Sequence, residues 1–145
     1  MKPNYYIIWP IALVLAIFVA SGQSSLATPD TGFSYDKATH FLVFGLLATS
    51  VIRIPYLLRK RWKGVLLTVV IVSCYGIMDE FRQMHTPGRY VEFKDWLADT
   101  SGAIVACIFY LNWAWYRSIL EKRFFSGKSQ NLINSDSRVG PADLS

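Results

Sequence analysis

Residues 79–99, DEFRQMHTPGRYVEFKDWLAD, decide how this chain is read. Five acids fall here, Asp79, Glu80, Glu92, Asp95 and Asp99, with Arg82, Arg89 and Lys94 between them. Gln83, His85 and a Thr86-Pro87-Gly88 turn complete the polar set. Long apolar runs flank it, residues 64–78 before and 96–115 after, the second carrying Asp99 within it. Charges at the ends of two membrane-length segments require water or one another, because an unpaired charge in hydrocarbon is costly. The stretch is a candidate site, and the runs beside it set the architecture.

At 145 residues the chain has the length of one domain. Hydrophobic residues make up 52% and charged residues 17%, richer and poorer respectively than a soluble average. A net charge of +5 could suit nucleic acid or anionic lipid. The basic residues sit in short clusters beside apolar runs, without aromatic–basic interleaving on a polar surface. That excludes a nucleic-acid partner and fits the positive-inside bias of a membrane protein. Cys74 and Cys107 both lie in apolar segments, without metal or redox spacing, and read as small core residues.

Working outward, residues 5–20 are almost wholly apolar and follow Lys2, with Tyr5, Tyr6 and Trp9 suited to an interfacial belt. The run is slightly short of the ~20 residues that span a bilayer. A retained helix is expected, and a signal peptide cut near Ser25-Leu26-Ala27 is the alternative. A polar, turn-rich loop follows over residues 21–35. The second helix is expected over about 36–58, with Arg53 near the far interface, where its stem can snorkel. Arg59, Lys60, Arg61 and Lys63 then mark a cytoplasmic connection. The third helix runs over about 64–85 and stops at Pro87-Gly88. The fourth runs over about 94–116, and a polar tail, 126–145, is expected to be disordered.

The expected architecture is all-α: an integral membrane four-helix bundle over residues 1–125, helices at about 5–22, 36–58, 64–85 and 94–116, both termini cytoplasmic. Eleven of the fifteen basic residues then lie inside and seven of the ten acids outside. The expected location is a membrane crossed several times, with the lipid bilayer as partner. Oligomeric state is left open.

On this topology three helix ends meet at the outer face, each with polar residues four apart: Asp36 and His40, Asp79 and Gln83, Asp95 and Asp99. Such pairs share a helix face and can point together into a bundle. Arg82, Arg89, Lys37 and His40 are the available cations. The acids near helix N-termini are also favoured by the helix dipole. Two readings compete, a network that only clamps the helices and a working site. In the working site Asp79 or Glu80 is a general base and His40 an acid/base partner. Asp36, Lys37, Gln83, Arg89, Asp95 and Asp99 would contact a ligand, with Arg89 and Lys37 holding an anionic group. His85 reads equally as a solvated cap, and Arg82 as a solvated or headgroup contact. His40 and His85 lack the spacing of a helical zinc motif and no zinc-type cysteines join them, so no metal and no cofactor is assigned.

Asp36-Lys37-x-x-His40-Phe41, Asp79-Glu80-x-x-Gln83, Pro87-Gly88-Arg89 and Asp95-x-x-x-Asp99-x-x-Gly102, in this order and at these spacings, resemble the VanZ-like family of small bacterial membrane proteins. The resemblance covers residues 36–102 and the helix layout, not the tail. One departure is Asp99, where many members carry Asn. The resemblance implies an integral membrane protein, linked through the family's founding member to teicoplanin resistance. It leads to the expectation of an extracytoplasmic polar site that binds or modifies an envelope component, such as a lipid-linked or glycan headgroup. It implies no established reaction.

Overall fold

Pro55 breaks what the hydrophobic pattern presents as one long helix. The computed structural model describes residues 5–22, 35–87 and 91–125, and every regular element among them is α-helical. The second helix, α2, follows α1 (Tyr5–Ser21) and covers Tyr35–Ile52, not about 36–58 as the apolar run suggests. Ile54, forced from the helical region by the proline after it, takes φ −59° and ψ 124° and caps a separate short helix, α3 (Pro55–Arg59). Arg61, at a positive φ of 48°, turns the chain into α4 (Trp62–Gln83). The basic cluster thus sits on a helix–turn connection.

Helix α4 ends where Pro87 requires it: the N–H of Met84 still reaches the Glu80 carbonyl, and those of His85 and Thr86 close tighter turns. The next helix, α5, covers Phe93–Asn112. It was expected to continue to about residue 116, but the helical pattern lapses at Trp113 and resumes as α6 (Ala114–Phe125). The chain divides here into two units, Met1–Leu111 and Asn112–Ser145. The expected tail, 126–145, lies outside the described residues.

Within the first unit α1 packs on α2 and α4, and α2 on α4. The Tyr75 hydroxyl of α4 donates to the Val14 carbonyl of α1 at 2.9 Å, tying the two helices together. Helix α5 crosses α2 with backbones in contact: a Cβ on Gly102 would stand 2.2 Å from the Phe41 carbonyl oxygen. Only glycine permits that approach. The core comprises Phe44, Leu47, Ala48, Ile52, Val72, Ala103, Cys107 and Tyr110.

The outer surface is as apolar as the interior. Leu42, Leu46, Leu66, Val70, Ile77, Met78 and Phe81 are exposed, while Asp79, Glu80, Gln83, Asp95 and Asp99 are buried. This inverts the ordinary soluble distribution. Among the described residues α4 alone is long and apolar enough to cross a bilayer, a second span being counted if α5 and residues 114–120 are taken as one broken span. Helix α1 is apolar but shorter.

Candidate functional site

The buried acids gather where the start of α2, the end of α4 and the start of α5 meet. Each of the expected i,i+4 pairs behaves differently. Asp79 and Gln83 are both buried, and Gln83 Nε2 donates to Asp79 Oδ2 at 2.9 Å. Asp95 and Asp99 are both buried on one face of α5. On α2, His40 is buried and Asp36 is exposed, so this helix reaches from the interior to the rim.

His40 binds across the bundle. Its Nδ1 lies 2.9 Å from Asp99 Oδ1, and its ring stacks on Phe44 with centroids 6.0 Å apart. The other Asp99 oxygen, Oδ2, is buried without a hydrogen-bond partner and faces Gly76, where a Cβ would stand 2.8 Å away. Gly76 is therefore the space into which the Asp99 carboxylate fits.

Lys37 ties the loop before α5 to its first turn. Its Nζ lies 2.9 Å from Glu92 Oε2 and 3.2 Å from Asp95 Oδ1, the second an ion pair without hydrogen-bond geometry. The Lys37 ammonium, by hydrogen bond and then by charge, holds the Glu92 carboxyl below its usual range. Glu80 acts in the same place: its Oε2 accepts the Glu92 backbone N–H at 3.0 Å, while Oε1 is buried with no partner.

Adjacent residues on a helix face different ways, so Asp79 and Glu80 serve different surroundings. Asp79 lines a cleft of about 130 Å³ with Asp36, His40 and Gln83, walled by Ile17 and Ser21 of α1 and Phe44 of α2. Glu80 turns away from that cleft toward Glu92. Asp36, His40 and Asp95 also come together, each offering one ligand atom, all within 4.8 Å of one another.

The structure thus gathers Asp36, Lys37, His40, Asp79, Glu80, Gln83, Asp95 and Asp99 at one end of the bundle. Arg89 lies outside the described residues. His85 stays apart, exposed, its Nδ1 3.0 Å from the Phe81 carbonyl. Arg82 is not a free headgroup contact. It donates to Ser21 Oγ and lies over the Phe18 ring, 3.8 Å from the centroid, fastening α4 to α1.

Two contributions escaped the sequence reading. Helix α1 supplies a wall of the cleft through apolar and small residues, which carry no chemical signal. Ser73, Thr100 and Trp96 form a polar bridge between α4 and α5: Trp96 Nε1 donates to Ser73 Oγ at 3.0 Å, and the two hydroxyls are 2.9 Å apart. Thr100 directly after Asp99 was the one cue.

Described residues that are helical throughout, with many apolar side chains exposed and an acid–histidine cluster buried, define a class of helical proteins built around a polar cluster. Comparison with family models places it within that class: the VanZ/LLP1 model matches residues 4–116, and the chain belongs to the VanZ/LLP1 family. No curated protein and no solved structure matches it.

Proposed function

We propose that this chain is an integral, multi-pass protein of the bacterial inner membrane whose polar cleft faces the extracytoplasmic side and binds or modifies a cell-envelope component. The observation that carries the reading is the burial of Asp79, Gln83 and His40 around a cleft in a bundle whose exterior is apolar. Family membership and the apolar helix α4 support the membrane setting. All four apolar segments cross the bilayer on this reading, with both termini cytoplasmic. Ionisable groups kept within such segments mark sites of binding or proton transfer more often than they mark structure.

The ligand carries a polar headgroup, lipid-linked or glycan, that reaches the cleft from the membrane surface. Asp79 is the general base and His40 its acid/base partner, since both line the cleft. Glu80, beyond the cleft wall, is the third catalytic candidate. Arg89 and Lys37 hold an anionic group, and teicoplanin resistance is a phenotype this activity would produce.

A specific observation favours a second reading, a clamp without catalysis. Lys37 bridges to Glu92 and Asp95, His40 to Asp99, and Gln83 to Asp79, so many of the polar groups are satisfied internally.

The deciding experiment places Asp79→Asn, Glu80→Gln and Arg89→Ala in a strain lacking the native copy. Membrane abundance and sensitivity to teicoplanin and other envelope stress are recorded in the same cultures. Full abundance with lost protection supports the working site. Parallel loss of protein in all three supports the clamp.

A further inference from the structure

Around His40 positive charge is scarce. Five carboxylates, Asp36, Glu80, Glu92, Asp95 and Asp99, lie close enough to interact electrostatically with its ring. Among the described residues the ion pairs at this cluster come from Lys37 and from His40 itself, and Lys37 is shared with Glu92. Buried carboxylates ordinarily satisfy their lone pairs, yet Glu80 Oε1 is buried and accepts no hydrogen bond, and Asp95 Oδ1 has only the Lys37 ammonium, an ion-pair contact at 3.2 Å. Glu80 is 4% exposed and Asp95 3% exposed, so bulk water does not supply what is missing.

His40 is set up as a ligand. Its Nδ1 is taken by Asp99, an arrangement in which Nδ1–H donates to the carboxylate. In that tautomer Nε2 carries the lone pair. A carboxylate behind a histidine is the usual second partner of a metal-binding imidazole, which it orients and makes more basic. Asp36 and Asp95 bring one ligand atom each to within 4.8 Å of a ring nitrogen of His40 and of each other. The cleft beside Asp36 and His40 provides access and room for a further ligand.

We propose that His40, Asp36 and Asp95 bind a first-row divalent cation of the Mn²⁺ or Zn²⁺ kind, with Asp99 orienting the histidine. One imidazole among carboxylates suits these ions better than Ca²⁺ or Mg²⁺, which take oxygen, or Cu⁺, which takes sulfur. The sequence reading set metal aside because it looked for paired histidines. The site instead takes one histidine from α2 and a carboxylate from α5, which no linear spacing displays. The inference goes beyond the envelope reading and alters one part of it: with the cation bound, His40 is a ligand and acid–base work falls to Asp79.

The test uses the full chain purified in detergent, stripped with chelator and titrated separately with Mn²⁺ and Zn²⁺. Elemental analysis after desalting, proton release during titration and, for Mn²⁺, the paramagnetic resonance signal are the readouts. About one equivalent is expected. Asp36→Asn, on an exposed residue, leaves the fold intact and weakens binding by about tenfold or more, and Asp99→Ala weakens it by about 10–100-fold through loss of orientation. Elution as the same single species as the parent protein confirms that both variants are folded. Failure to retain either ion, or equal retention by folded Asp36→Asn and the parent, overturns the proposal. A protein that binds the ion but no envelope lipid sinks the envelope reading alone. Loss of protection in Asp79→Asn together with no metal sinks this one alone.

Discussion

His40 Nδ1 and Asp99 Oδ1 stand 2.9 Å apart between α2 and α5, fifty-nine residues apart in sequence, and both side chains are buried. The contact requires an acceptor on α5, not a charge. Asn offers the same oxygen, so Asp99→Asn keeps the bond and most of the stability. Asp99→Ala leaves a buried imidazole N–H without a partner, at a cost of about 1–3 kcal/mol. Thermal unfolding of the two variants in the same detergent separates them. Equal loss in both variants would show that the charge, not the acceptor, holds the pair.

The crossing of α2 and α5 is set by Gly102. A methyl group there would overlap the Phe41 carbonyl, whereas at Gly45, facing it, a Cβ would meet the Gly102 carbonyl at 3.3 Å. Gly102→Ala is expected to destabilise by about 1–3 kcal/mol or more through forced separation of the helices. Gly45→Ala should cost clearly less. Melting temperatures for the pair are the check, and the reverse order would mean the crossing relaxes freely.

The Lys37–Glu92 pair makes stability depend on pH. Glu92 is held below the ordinary carboxyl value, so its contribution is fully present above that unfolded value and is lost as pH falls through the folded one. Because Glu92 is half exposed, the contribution is small, at most about 1 kcal/mol, and declines in salt. Glu92→Gln should therefore melt slightly below the parent at neutral pH and low salt, with the gap closing in acid and in high salt. A gap unchanged by both would remove the ion pair as its source.

The proposed topology separates two loops. With Cys74 and Cys107 replaced by Ala, Thr86→Cys in intact cells should react with a membrane-impermeant maleimide, and Lys60→Cys should react only after permeabilisation. The opposite pattern inverts the orientation and places the polar cleft on the cytoplasmic side.

Arg82 and Phe18 provide the fourth measurement of packing. Arg82→Lys keeps the charge but loses the planar contact over the ring and the reach to Ser21, and should destabilise by about 0.5–2 kcal/mol. Phe18→Ala should remove most of the further effect of that change. Additive effects of the two substitutions in a double-mutant cycle would show that the stacked contact contributes nothing.

Much of this protein was legible in order along the chain. Periodic apolar runs, Pro87-Gly88 and the i,i+4 polar pairs announced helices and the faces on which Asp79, Gln83, Asp95 and Asp99 are buried, because helical geometry converts spacing into direction. The same pattern overran Pro55 and Trp113, since hydrophobicity persists where backbone geometry does not. Tertiary structure decided the rest. It separated Asp79 from Glu80, made α1 a wall of the cleft, engaged Arg82 with Ser21 and Phe18, and brought Asp36 and His40 of α2 to Asp95 of α5. The meeting of α2 and α5 depends on how closely the two helices approach, and Gly102 permits that approach, which no spacing within one helix displays.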